Sequence, residues 1–152
     1  IKMPQGSDQI LYVRGTDISD DLQLSIDLAT NAALRSLGKK LETRLNSKAK
    51  ETVKQAGIGS NKASKSEFNR ISSVVVKEVT VSGYQVYETK MVPLENGDYR
   101  SFILLEYPVG QALKAYKEEI DNSPELKGRL TLIKNTDAYK ELEKAVAQYS
   151  GS

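Results

Sequence analysis

Cysteine and histidine are both missing from the 152-residue chain. Without cysteine there is no disulfide framework and no thiolate metal site, and the redox compartment leaves no trace in the sequence. Without histidine the commonest general base and the commonest transition-metal ligand are gone together. No apolar run approaches the roughly 18 residues that a membrane-spanning helix requires. Phosphate loops are missing too: Gly57 and Gly59 are followed by neither Lys-Ser nor Lys-Thr in P-loop register, and no G-x-S-x-G turn occurs. These gaps leave no cofactor motif and point away from an enzyme. Charge is nearly balanced, with 22 basic and 20 acidic residues for a formal +2, so the whole chain is not a polycation. Internal repeats and low-complexity tracts are likewise absent. The length suits one domain with appendages and can bury a sizeable core. The chain begins at Ile1 rather than Met, so a processed or partly ordered product is expected, one whose front could have carried a targeting segment.

What is present is dominated by one stretch, Ser19 to about Gln55. Leu22, Ile26, Ala29, Ala33, Leu37, Leu41, Leu45, Ala49 and Val53 recur almost every fourth residue, which puts them on one slowly drifting stripe of an α-helix. Ser19 or Asp17 can cap its start, with Asp20 and Asp21 facing the positive end of the dipole. The same aspartates suggest a divalent-ion site as the alternative to capping. Gly57 stands where a helix C-terminus favours positive φ. Such a helix is roughly 55 Å long, about twice the width of a small domain. Part of it is therefore expected to project or to find a partner, which favours assembly over chemistry.

Ahead of the helix, residues 1–8 read as a polar arm, and Gln9 to Gly15 as a short strand. After it, Gly57 to Ala63 is a loop, and Ser64 with Glu67 fits the S-x-x-E capping box of a second helix. That helix runs through Phe68, Ile71, Val74 and Val75 to about Val79, although its β-branched later half also suits a strand. Tyr84–Val92 and Tyr99–Tyr107 form a hairpin turned at Pro93 to Gly97, with Asn96-Gly97 as its signal. Val109 to Ile120 is an amphipathic helix using Leu113, Tyr116 and Ile120. Pro124 opens a short element, and Thr136 caps a last helix carrying Tyr139, Leu142, Val146 and Tyr149. The expected class is α+β: a small, mostly antiparallel sheet of about three strands packed by the long helix and a second one. In domain terms, residues 1–8 are an arm, 9–120 the α+β domain and 121–152 a helical extension.

Charge is unevenly spread. Residues 35–70 hold ten basic side chains against Glu42, Glu51 and Glu67, a local excess of seven. Lys40, Arg44 and Lys48 stack at i, i+4 and i+8, with Lys54 further along, and like charges so stacked repel unless something acidic lies opposite. This is the candidate assembly or anion-binding face, beside the plainer reading of a solvated helix surface. Asp17, Asp20, Asp21 and Asp27, with Glu118, Glu119 and Asp121 late in the chain, are the candidate acidic counter-face on a neighbouring copy. Phe68 is the only aromatic among these basic residues, which counts against a nucleic-acid stacking platform. Glu88 and Glu106 on the hairpin strands could face each other as a catalytic acid pair, but an exposed sheet face explains them equally. Tyr84, Tyr87, Tyr99 and Tyr107 suit either cross-strand packing or an interface.

The order Val13-x-Gly15, Ala/Leu-rich helix, loop, helix ending in Ser82-Gly83, then Tyr84 to Glu88, Asn96-Gly97-x-Tyr99 and Phe102 to Tyr107 resembles the bacterial lipoprotein-20 family. Domains of that family also occur in flagellar disk and ring proteins. The resemblance covers about residues 10–115, and its motifs are patterns of small and apolar residues. The family's lipidated cysteine has no counterpart here, so a membrane link would need an anchor outside the chain, and the region after Ile120 matches nothing in the pattern. The resemblance implies a non-enzymatic structural protein of the bacterial envelope, on the periplasmic side of the outer membrane or at the cell surface. It would form a homo-oligomeric ring, disk or filament, with copies of itself and other envelope or flagellar proteins as partners. The competing expectation is a binding protein that uses the basic half of the long helix on anionic lipid, polysaccharide or nucleic acid.

Overall fold

A computed structural model describes residues 1–151 and shows an α+β fold. The elements in order are β1 (Ile10–Ser19), α1 (Leu22–Ala56), α2 (Lys62–Val79), β2 (Gln85–Pro93), β3 (Tyr99–Pro108), α3 (Val109–Asp121), a 3-10 turn at Lys127–Arg129, α4 (Leu130–Lys134) and α5 (Asp137–Gly151). Contacts within the chain divide it into two compact units. One comprises Ile1–Lys40 with Thr80–Val109, and the other Leu41–Val79 with the chain from Gly110 onward.

The first unit is an antiparallel sheet of order β1-β3-β2 with the front half of α1. β3 is central, pairing Val13 with Leu105 and Gly15 with Ile103 on one side, and Thr89 with Ile103 on the other. β1 passes through Gly15 and continues four residues further than the sequence pattern indicates, to Ser19. Gly15 belongs in the strand because α1 approaches it closely: a Cβ there would stand 2.1 Å from the Ala29 carbonyl oxygen. The alanines at 29 and 33, both fully buried, permit the same approach from the helix side. Next along that face, the hydroxyls of Ser25 and Ser101 are buried and 2.7 Å apart. Ser25 thus holds the buried position at the start of the stripe, while Leu22 is exposed and Ile26 only half-buried. The cap is Asp21, whose Oδ1 accepts the Leu24 N–H at 2.8 Å. Asp17 lies in β1 and accepts the N–H of Ile18 instead.

In the hairpin, Gly97 has φ +90° and Asp98 donates its N–H to the Asn96 side chain at 3.0 Å. The ladder between β2 and β3 slips by one residue between Val86 and Glu88, so Tyr87 is a bulge. Its ring meets Tyr12 edge-on at 5.4 Å, reaching over the central strand. The cross-strand aromatic contact therefore joins β2 to β1, while Tyr107 is wholly buried.

The second unit is helical. Leu41, Leu45, Ala49 and Val53 of α1 are buried, as are Phe68, Ile71, Val75 and Val79 of α2, Tyr116 and Ile120 of α3, and Tyr139 and Leu142 of α5. The later half of the long stripe is therefore covered by the chain's own helices and does not project. α1 stops in a Schellman arrangement: Gly57, at φ +70°, donates to the Lys54 carbonyl and Ile58 donates to that of Val53. α2 begins two residues ahead of Ser64, and its cap is Asn61, whose Oδ1 accepts the Ser64 N–H at 2.8 Å. The capping box at Ser64 does not form, and the Ser64 hydroxyl is buried without a partner among the described residues. β-branched residues 74–76 stay helical, with Val75 and Val79 on the buried side. Thr136 caps α5 as its position suggests, its hydroxyl accepting the Tyr139 N–H at 3.0 Å.

Candidate functional site

β2 is the least covered element of the first unit. Eight of its nine residues are exposed, whereas every residue of β3 beside it is buried or half-buried. A strand inside a sheet normally shelters at least one face; here both faces are bare, including Val86 at 54%, Tyr87 at 52% and Met91 at 46% exposure. The outer edge of β2 also has no paired strand among the described residues. Its backbone donors and acceptors on that side are consequently a template for another strand. Glu88 and Lys90 lie in register with Leu104 and Phe102, two residues apart, and so share one face.

Glu88 and Glu106 do not oppose each other. Glu88 pairs with Leu104, and Glu106 lies between Tyr12 and Gln85. Partial desolvation, helped by the Glu106 carboxylate, pushes the Tyr12 hydroxyl above its ordinary pKa. This is a sheet-surface pair and not a facing acid dyad. No group of three or more acidic side chains comes together to hold a metal ion among the described residues, and of the aspartates before α1 it is Asp21 that caps the helix. No helix among those residues is long and apolar enough to cross a membrane.

The basic side chains along α1 have separate surroundings. Lys40 donates to the Tyr12 carbonyl at 3.4 Å within the first unit. In the second unit Lys48 forms an ion pair with Glu141 at 3.3 Å, Arg44 is half-buried, and Lys54 stands with Lys50 and Lys65 around a groove. Several acidic residues are also engaged within the chain. Asp21 caps α1 and Asp27 accepts from the Gln23 amide at 3.1 Å, while Asp20 lies 3.4 Å from the Ser19 hydroxyl. Asp121 binds Lys117 at 2.8 Å and accepts the Tyr139 hydroxyl at 2.5 Å. Burial and this carboxylate together push the Tyr139 pKa up. Glu119 lies 3.9 Å from Arg70, and Glu118 is exposed.

One carboxylate outside both expected faces is the most enclosed acid of the second unit. Glu67 is buried, accepts Arg70 Nε at 2.5 Å and Nη2 at 3.0 Å, and accepts the hydroxyl of buried Ser123. The Arg70 hydrogen bond holds its pKa below the usual carboxylate range, against the upward push of burial, with Ser123 assisting. A salt bridge at i, i+3 is readable from sequence. The tie to a serine 56 positions away is not.

Comparison with protein-family models, curated proteins and solved structures found no match to this chain.

Proposed function

We propose that the chain is a non-enzymatic structural subunit that assembles with copies of itself, the contact being the outer edge and bare faces of β2. The observation that carries this reading is the exposure of β2 on both faces beside a β3 that has no exposed residue. An unpaired edge favours strand addition, because pairing satisfies its backbone donors and acceptors.

Self-complementarity argues for a second copy as the occupant. In an antiparallel pairing with Thr89 on the two-fold axis, Glu88 of each copy faces Lys90 of the other. Such opposite-charge pairs contribute roughly 0.2–1 kcal/mol each. Moving the register two residues either way sets Lys90 against Lys90 or Glu88 against Glu88, which is repulsive. With the bulge at Tyr87 ending the regular strand, pairing about Thr89 is confined to Glu88–Lys90. The contact is thus short, unlike an open-ended fibril edge.

A two-fold contact alone closes a dimer. The ring, disk or filament of the bacterial envelope that the lipoprotein-20 resemblance implies needs a second contact, for which exposed Leu22 and Leu24 at the start of α1 supply apolar surface. Sedimentation equilibrium tests the β2 contact. The parent chain is expected to exceed its 16.8 kDa monomer mass increasingly with concentration. Glu88→Lys and Lys90→Glu should each weaken association, and the two together should restore it. A monomer at every concentration, or no restoration in the double variant, contradicts the proposal.

A further inference from the structure

The end of α1 and the start of α2 shape a groove of about 550 Å³ within the second unit. Its floor is apolar, made by Ala49 and Val53 of α1 and Phe68 of α2, all buried against the core. Lys50 and Lys54 on α1 and Lys65 on α2 stand around it, and no carboxylate of the described residues lines it. These three lysines are exposed, and none is in an ion pair among the described residues, unlike Lys48 and Lys117 of the same unit. Like charges gathered on one concavity repel each other until an anion enters. Asn46 and Asn69 add side-chain amides able to donate to an oxygen.

The volume lies within the usual range of small-molecule sites, roughly 300–1,000 Å³. The Phe68 ring is only 1% exposed and cannot stack on a base, which disfavours a nucleic acid. A plain inorganic anion would use the lysines but leave the floor wet. We infer that the groove binds a small amphiphilic anion, its acidic head held by Lys50, Lys54 and Lys65 and its apolar tail lying on the floor and along the lysine stems. This site is independent of assembly through β2, which belongs to the other unit.

Titration calorimetry of the full chain with octyl phosphate, below its micellar concentration and at low salt, tests the inference. Saturable one-to-one binding is expected. Lys50→Gln, Lys54→Gln and Lys65→Gln combined should weaken it about tenfold or more, the loss expected if the charge pairing contributes about 1.4 kcal/mol. Lys134→Gln, Lys140→Gln and Lys144→Gln combined remove the same charge from exposed sites elsewhere in the unit and should leave binding unchanged. Inorganic phosphate should bind at least about tenfold more weakly, since each buried methylene contributes about 0.8 kcal/mol. Any one of four results overturns the inference: no saturable binding, equal loss in both triple variants, inorganic phosphate as tight as octyl phosphate, or uncharged octyl glucoside as tight as octyl phosphate. Unchanged circular dichroism and melting temperature show that the variants are folded.

Discussion

Gly15 and Ala29 are in backbone contact: a Cβ built on Gly15 would stand 2.1 Å from the Ala29 carbonyl oxygen and 2.4 Å from the Ala33 nitrogen. Both obstacles are backbone, so no side-chain rotation relieves them. Gly15→Ala must therefore separate α1 from β1 or bend one of them, at a cost of about 3 kcal/mol or more. The urea midpoint is expected to fall accordingly. Gly128→Ala, at a position where a Cβ meets nothing within 4 Å, should change stability far less. Equal midpoints for the two variants would refute the close approach.

Glu67 gives the second unit a pH dependence of known sign. Its pKa is held below the unfolded value, chiefly by the Arg70 hydrogen bond. Its contribution is present above the unfolded carboxylate pKa, about 4.3, and is lost as pH falls through the lower folded value. Glu67→Ala leaves the Ser123 hydroxyl buried without this acceptor and should cost about 1–3 kcal/mol near neutrality. The stability gap between parent and Glu67→Gln is expected to narrow as the pH of urea unfolding is lowered from 7 to 3. A gap that widens toward acid would reverse the assignment.

Lys48 is paired with Glu141 in its own chain. Arg44→Glu combined with Lys48→Glu should therefore register mainly in the fold, with a loss of at most about 1 kcal/mol because the pair is largely at the surface. Sedimentation of that double variant is expected to match the parent. A clear loss of assembly would return the ridge to the interface.

Much of the architecture is legible locally. The four-residue spacing from Ala29 to Val53 marks the buried stripe of α1, Gly57 marks its end, Asn96-Gly97 marks the hairpin turn, and Thr136 caps α5. What sequence leaves open is set by distant partners. Ser25 reads as polar and outward until Ser101 supplies a buried hydroxyl beside it. Ser64-x-x-Glu67 satisfies the capping pattern, yet Asn61 takes the cap and Glu67 turns inward to Ser123. The bareness of β2 depends on where α1 lies, which the period-two pattern of Tyr84–Val92 does not encode. For the groove, Lys50 and Lys54 are an i, i+4 pair on one helix, but Lys65 joins them only because α1 and α2 turn back at Gly57.

A chain without cysteine offers a direct probe of the β2 contact. Thr89→Cys places one thiol per copy at the proposed two-fold axis, where directly opposed residues have Cβ atoms about 4.5–5.5 Å apart and small shifts allow a disulfide. Lys140→Cys, exposed on α5, is the control. Under mild oxidation at low micromolar concentration, the account predicts near-complete conversion of Thr89→Cys to a covalent dimer, with Lys140→Cys remaining largely monomeric. Absence of a Thr89→Cys dimer, or equal cross-linking of the two variants, would contradict assembly through β2.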